Sequence, residues 1–330
     1  MPTPSPPGCA LWRGTRTYGA AWARRPARPH ATMGRRRRRL ATGRLCDNCL
    51  TLVVEVGMPV NLLTERARQG SPLIVLSPHL DDAVLSCGEL IIRAAERTEV
   101  TVATLFTEAG PPPYTLSARS YLRQVGAPDA ETLYRQRRSE DGAALESVGV
   151  ASVLHAGLVE ALYRRRAVTG VRRRWARLLP ELDHVYPVYR LQVESGHLAP
   201  SDSRTLRDAC RFVQGLADHR SALVLAPLGV GGHVDHVLAR TAAEHSGAPI
   251  VYYSDFPYNL RQQADRSFIA RSGLIEAGAT QPTEAKAALI RAYRTQARAL
   301  FPGDRIPLAP EVFFCPASMA TPSGGTGDSD

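Results

Sequence analysis

Residue types that carry acid–base and metal chemistry crowd into one short stretch, Ser77-Pro78-His79-Leu80-Asp81-Asp82, directly after the apolar run Leu73-Ile74-Val75-Leu76. Two adjacent carboxylates repel each other. Beside an imidazole at the end of an apolar strand, they make physical sense once a positive charge is shared among them, and a divalent metal suits that donor set. The plainer alternative is a strand-to-helix turn in which one aspartate caps a helix starting near Ala83. A second cluster, Gly231-Gly232-His233-Val234-Asp235-His236, follows a second apolar run over residues 222–226. His233 and His236 share one face of a first helical turn and can converge on one point. A lone pair of histidines at that spacing is weak evidence. Two acid-and-imidazole clusters, each at the end of a strand, carry more, because a parallel sheet brings such ends to one edge.

The elements that must position these groups alternate between strand and helix. Strand patterns recur at residues 100–106, from Ser152, and at Ile250-Val251-Tyr252-Tyr253, the last leading into Asp255-Phe256-Pro257-Tyr258. Helical spacing covers residues 83–97, 131–147, 206–216, 236–245 and 283–300; the last is amphipathic, with Ala, Leu, Ile and Tyr inward and Arg outward. This alternation predicts an α/β fold, a Rossmann-like, mostly parallel sheet with helices on both faces. Residues 108–128, marked by Gly, Pro and Tyr, read as one long loop and a candidate substrate lid. His155, in an apolar context, reads as a packed, hydrogen-bonded residue. Residues 157–202 fit the alternation poorly and read as an insertion. Its Arg clusters, Tyr163-Arg164-Arg165-Arg166 and Arg172-Arg173-Arg174-Trp175, read as a solvated surface, diluted by Glu160, Glu181, Asp183 and Glu194. The alternative is that they stack on bases or cradle an anionic substrate.

Charge is unevenly placed. Of the formal net charge of +10, residues 1–57 supply +9, from 11 arginines against Asp47 and Glu55. The remainder is nearly neutral, so nucleic acid has no strong case as a partner. Residues 1–57 are rich in Pro, Arg, Ala and Gly, include the run Arg35–Arg39, and read as a disordered extension that a start at Met33 or Met58 would shorten or omit. The apolar stretch 50–54 is broken by Glu55 and is too short for a signal or a membrane span, so a cytoplasmic protein is expected. Cys9, Cys46, Cys49, Cys87, Cys210 and Cys315 lack a framework spacing, and Cys46-Asp-Asn-Cys49 has no second pair to complete a zinc site. Lys286, the only lysine, points to a GC-rich coding source. Gly229-Val230-Gly231-Gly232 lacks the third glycine of a nucleotide-binding fingerprint. Residues 317–330 read as a disordered tail.

The paired motifs resemble those of the PIG-L/LmbE-like N-acetylglucosaminyl deacetylases, which carry His-Pro-Asp-Asp after the first strand and His-x-Asp-His later. Agreement extends to Arg137-x-x-Glu140 with Ala144 and Gly149, and to Asp255-Phe256-Pro257-Tyr258, over residues 71–315. Leu80 stands where the family has Pro, and Thr107-Glu108-Ala109-Gly110 only approximates its Gly-Glu loop. The resemblance implies a deacetylase domain over residues 58–316 that uses zinc, with ferrous iron an alternative. It implies a small-molecule substrate, an N-acetylglucosamine-type amino sugar or its glycoside. It also implies His79, Asp82 and His236 as metal ligands, Asp81 as general base, and His233 as the imidazole that steadies or protonates the tetrahedral intermediate. Asp235 resembles the carboxylate that keeps a histidine charged, with a helix-start carboxylate as the alternative. Arg137, Glu140 and Asp255 are the candidate substrate contacts, although Asp255 equally suits a turn cap. A non-catalytic carbohydrate- or nucleotide-binding protein on the same fold is the rival reading.

Overall fold

The computed structural model describes residues 71–217 and 222–320. The expected extension 1–57, with Met33 and the Cys46–Cys49 pair, lies outside them, as do Met58 and residues 321–330. The chain runs through β1 (Leu73–Ser77), α1 (Asp82–Ala95), β2 (Val100–Glu108), α2 (Leu116–Val125), α3 (Ala130–Ser147) and β3 (Ser152–Val159). The short helix α4 (Gly170–Ala176) precedes α5 (Ser203–Ala217), β4 (Leu223–Pro227), α6 (Val234–Glu244) and β5 (Ile250–Tyr253). The last elements are α7 (Arg266–Arg271), β6 (Leu274–Thr280), α8 (Glu284–Ala292), α9 (Arg294–Leu300), β7 (Glu311–Pro316) and α10 (Ala317–Ala320).

The strands form one sheet in the order β3-β2-β1-β4-β5-β7-β6. β1 to β5 are mutually parallel, and β7 runs antiparallel to both β5 and β6. The Rossmann-like, mostly parallel architecture expected from the sequence is present, with an antiparallel pair added at one edge. Alternate residues of β1 point to opposite faces. Leu73 and Val75 join the core that holds Leu289 and Ile290 of α8, whereas Ile74 and Leu76 join the one that holds Val213 of α5 and Leu238 of α6. Helices therefore cover both faces. Strand order reverses between β1 and β4, and a crevice opens beyond the carboxyl ends of such a pair. Both motif clusters follow these two strands.

Four expectations are corrected. The stretch 108–128 is not one loop, because α2 forms inside it. Thr115 caps α2 by accepting the Ala118 N–H, and Gly126, at φ 69°, ends it. Few apolar residues signal this helix, but Ala118 and Leu122 pack with Leu80, Leu133 and Tyr134. Leu80 thus has a packing role where the family has Pro. The helix expected over 283–300 is broken at Tyr293 (φ −83°, ψ 65°), whose buried hydroxyl donates to Asp141 Oδ1 at 2.8 Å. The insertion is not a uniformly solvated surface. β3 runs on to Val159, and Glu160 to Arg164 are buried, while Arg172 to Trp175 are exposed as expected. Residues 317–320 are helical rather than part of a disordered tail. His155 is packed, its Nε2 lying 2.8 Å from Asp141 Oδ2. Among the described residues, no helix is long and apolar enough to cross a membrane.

Candidate active site

The turn after β1 is built around side-chain oxygens. Ser77 Oγ donates to the His79 carbonyl at 2.6 Å and accepts the Ala83 N–H at 3.0 Å, which satisfies a donor at the start of α1. Asp81 occupies the N-cap position, yet its side chain makes no capping bond. Asp82 turns back instead, and its Oδ2 accepts the His79 backbone N–H at 2.9 Å. Neither aspartate performs the capping that the plainer reading assigned to the pair. Asp82 Oδ2 is a hub, 3.0 Å from His79 Nδ1 and 3.2 Å from His236 Nε2.

The turn after β4 delivers the other imidazoles. Gly231 has φ 92°, and a Cβ there would lie 2.6 Å from the Tyr258 ring, so the turn requires glycine on both counts. His233 is the N-cap of α6, with its Nδ1 accepting the Asp235 N–H at 3.2 Å. That bond leaves the ring proton on Nε2 and makes the free side of His233 a donor. One turn on, His236 Nδ1 lies 2.6 Å from Asp255 Oδ1, and Asp255 Oδ2 accepts the Val230 N–H at 2.8 Å. Ring nitrogens of His79, His233 and His236 all lie within 4.8 Å of one another.

These donors fit a divalent cation. His236 Nε2 is buried and has no hydrogen-bond partner among the described residues, and it faces Asp82. Each of the two histidines beside Asp82 has its far nitrogen on a carboxylate: His236 Nδ1 on Asp255, and His79 Nε2 on Asp235 Oδ2 at 3.2 Å. Such outer carboxylates fix the tautomer and leave the near nitrogen's lone pair for a metal. The expected ligands His79, Asp82 and His236 are therefore together, with His233 beside them. Asp235 turns its carboxylate to His79 and gives His233 only its backbone N–H. Asp255 is fully buried, and its carboxylate joins His236 to the Val230 N–H of the turn after β4.

The charges divide the acidic pair. Burial opposes ionisation of Asp82, but His236 and His79 hold its carboxyl well below the usual range. For Asp81, burial and the neighbouring Asp82 charge push the pKa up to about 7, against the pull of Arg137. Burial works against a charge on His236, yet Asp82 and Asp255 raise it to about 9. His79 is likewise opposed by burial and raised well above its ordinary value by Asp235 and Asp82. Burial and the charge on His79 keep His233 well below the ordinary range, hence neutral. The resting centre thus pairs a carboxyl poised near neutrality with a neutral imidazole donor.

Arg137 of α3 is buried, bonds the Tyr121 hydroxyl, and has Nη1 4.0 Å from Glu160 Oε2. It belongs to the surroundings of Asp81. Glu140 does not: its Oε2 accepts the Thr295 N–H and hydroxyl at 3.1 and 2.6 Å, which ties α3 to α9. Residues missed from the sequence are Tyr121, Glu160 and Arg164, the last bonded to both Asp235 and Asp202. The apolar Ala161-Leu162-Tyr163 just before Arg164 was the available signal that this part of the Arg-rich run goes inside.

Comparison with known proteins fits this geometry. A family model described as PIG-L, GlcNAc-PI de-N-acetylase, matches residues 74–246. The 2'-N-acetylparomamine deacetylase of Streptomyces fradiae is 29% identical over 226 residues, covering 66% of this chain and 69% of that protein. Among solved structures, the zinc-inhibited form of a teicoplanin deacetylase is 23% identical with a TM-score of 0.57, covering 74% of this chain and 97% of that one. A deacetylase–teicoplanin complex is 24% identical with a TM-score of 0.54, covering 74% of this chain and 98% of that one. These structures share the fold.

Proposed function

The chain belongs to the PIG-L deacetylase family, and from that premise we propose that it is a metal-dependent amidase that removes the acetyl group from an N-acetylated amino sugar or its glycoside. The observation that carries the reading is the convergence of His79 and His236 on Asp82 Oδ2, with Asp81 beside it and unused as a cap. His79, Asp82 and His236 would hold the cation, zinc by its nitrogen-and-oxygen set, with ferrous iron also suited. When bound, it supplies Lewis-acid chemistry, polarising the amide carbonyl and making a water acidic enough to attack near neutral pH.

The chain's own residues do the rest. Asp81, with a pKa near 7, takes the proton of the attacking water. His233 Nε2–H donates to the oxyanion that develops on the acetamide carbonyl. Because His233 rests neutral, the proton that the departing amine needs is the one Asp81 has gained, so a single carboxyl acts first as base and then as acid. Arg137 draws the Asp81 pKa down towards neutrality, which keeps enough carboxylate for the first step. The amino-sugar substrate is supported by the family description and by the activity in the name of the Streptomyces fradiae relative.

The test is metal analysis coupled to an amine-release assay over a panel of N-acetylglucosamine glycosides and N-acetylated aminocyclitol glycosides. About one metal per chain with released amine is the expected result. A metal-loaded protein that binds these sugars and releases no amine would replace the enzyme with a binding protein on the same fold.

A further inference from the structure

We infer that Arg164, in the segment between β3 and α4, is a positioning residue for His79 that acts through Asp235. The inference rests on the reading that His79 is a metal ligand. Arg164 is 5% exposed and spends its whole fork on three elements. Its Nε donates to Val159 O at the end of β3 at 3.2 Å, its Nη1 to Asp202 Oδ2 just before α5 at 2.8 Å, and its Nη2 to Asp235 Oδ1 in α6. Tyr186 supports the far end, its hydroxyl donating to Asp202 Oδ2 at 2.5 Å. The Phe106 ring lies 5.0 Å from the guanidinium carbon.

Asp235 is fully buried and divides its oxygens. Oδ1 meets Arg164, and Oδ2 receives the Ala161 N–H at 2.9 Å and faces His79 Nε2 at 3.2 Å. A carboxylate held at both ends cannot rotate, so it presents one fixed lone pair to the His79 ring. That fixes the proton on Nε2 and leaves Nδ1 directed at Asp82. Besides His79, Arg164 is the one side chain in hydrogen-bond contact with the Asp235 carboxylate among the described residues. Without it, that carboxylate keeps only the Ala161 N–H as a second anchor and can rotate away from His79. Lysine cannot replace a planar fork that serves three acceptors.

The experiment strips the full-length protein of metal and measures zinc affinity by competition with a chromophoric chelator, alongside the melting temperature of the metal-free protein. Arg164→Lys should weaken zinc roughly 10–100-fold, the usual cost of disturbing an outer partner. Asp235→Asn should also weaken it. The double variant should bind zinc no more weakly than Asp235→Asn alone, because both changes act on one path. Independent, multiplying losses would overturn the inference. So would an Arg164→Lys protein with a lowered melting temperature and wild-type zinc affinity, since that is a purely structural role. Should Arg164→Lys fail to fold, Asp202→Asn removes the other anchor of the same guanidinium, and a several-fold loss is expected; unchanged affinity in folded Asp202→Asn overturns the assignment. A wild-type protein that binds no zinc would overturn the metal reading itself.

Discussion

At the scale of single residues, Asp81 and Asp82 show how far position outweighs identity. The same side chain is held ionised at one position by two imidazoles and pushed to about 7 at the next by burial and its neighbour's charge. Removing them should therefore have different consequences. Asp81→Asn is expected to keep its metal and lose about 10²- to 10⁴-fold in kcat, the usual range for a general acid–base group. His236→Ala should lose the metal. Metal analysis with amine release separates the two, and zinc loss in Asp81→Asn would make that residue a ligand. A pH dependence also follows. In the metal-free centre, His236 holds its proton up to about 9 and His79 holds its own well above the ordinary value. Zinc must displace both, so its apparent affinity should climb as pH rises from 6 to about 9. Chelator competition across that range reads the slope, and a flat profile would mean that neither imidazole is a ligand. These groups were legible in the sequence because residue type and spacing carry their chemistry. Arg164 was not: its partner Asp235 lies 71 positions away, and an arginine in an arginine run looks solvated until the fold shows it buried.

At the scale of elements, strands and long helices were legible from apolar period, and the irregularities that aim them were not. Helix α1 is kinked at Cys87 (φ −131°, ψ 15°), which frees the next backbone donors. The N–H groups of Glu89 and Leu90 turn to Glu311 at 2.8 and 3.1 Å, so a carboxylate from β7 caps the second half of the helix. Lys286 of α8, the only lysine in the chain, balances that buried carboxylate at 2.8 Å. Composition presented this lysine as a coding curiosity, whereas its environment makes it a structural counter-ion. Lys286→Met should cost about 3–5 kcal/mol, because it leaves a buried carboxylate unpaired. Urea denaturation checks the magnitude. A loss under about 1 kcal/mol would mean that the backbone donors suffice for Glu311. The missed helix α2 has a similar lesson. Its cap at Thr115 and stop at Gly126 were readable signals, but its buried face is only Ala118 and Leu122, too little to show a period.

At the scale of the whole molecule, the sheet order explains why two motifs some 150 residues apart are one site. The expected parallel sheet brought strand ends together in principle. The observed order makes β1 and β4 neighbours at the point where the winding reverses, so His79 and His236 arrive from opposite halves of the sheet. The antiparallel β6–β7 edge, absent from the sequence reading, lies beyond β5 and leaves that crevice unchanged. A cation shared between the halves should then act on global stability as well as on chemistry. Without it, Asp82 and Asp255 face His236 across a proton that is progressively lost as pH rises towards 9. With zinc free at a hundred times its Kd, the native state gains about 2.7 kcal/mol by mass action. For a domain of this size that raises Tm by roughly 5–10 °C. Melting curves at pH 8 with chelator and with added zinc should differ by about that amount, and the difference should vanish in His236→Ala. A wild-type Tm indifferent to zinc would mean that the two halves of the sheet are joined at this edge by hydrogen bonds alone.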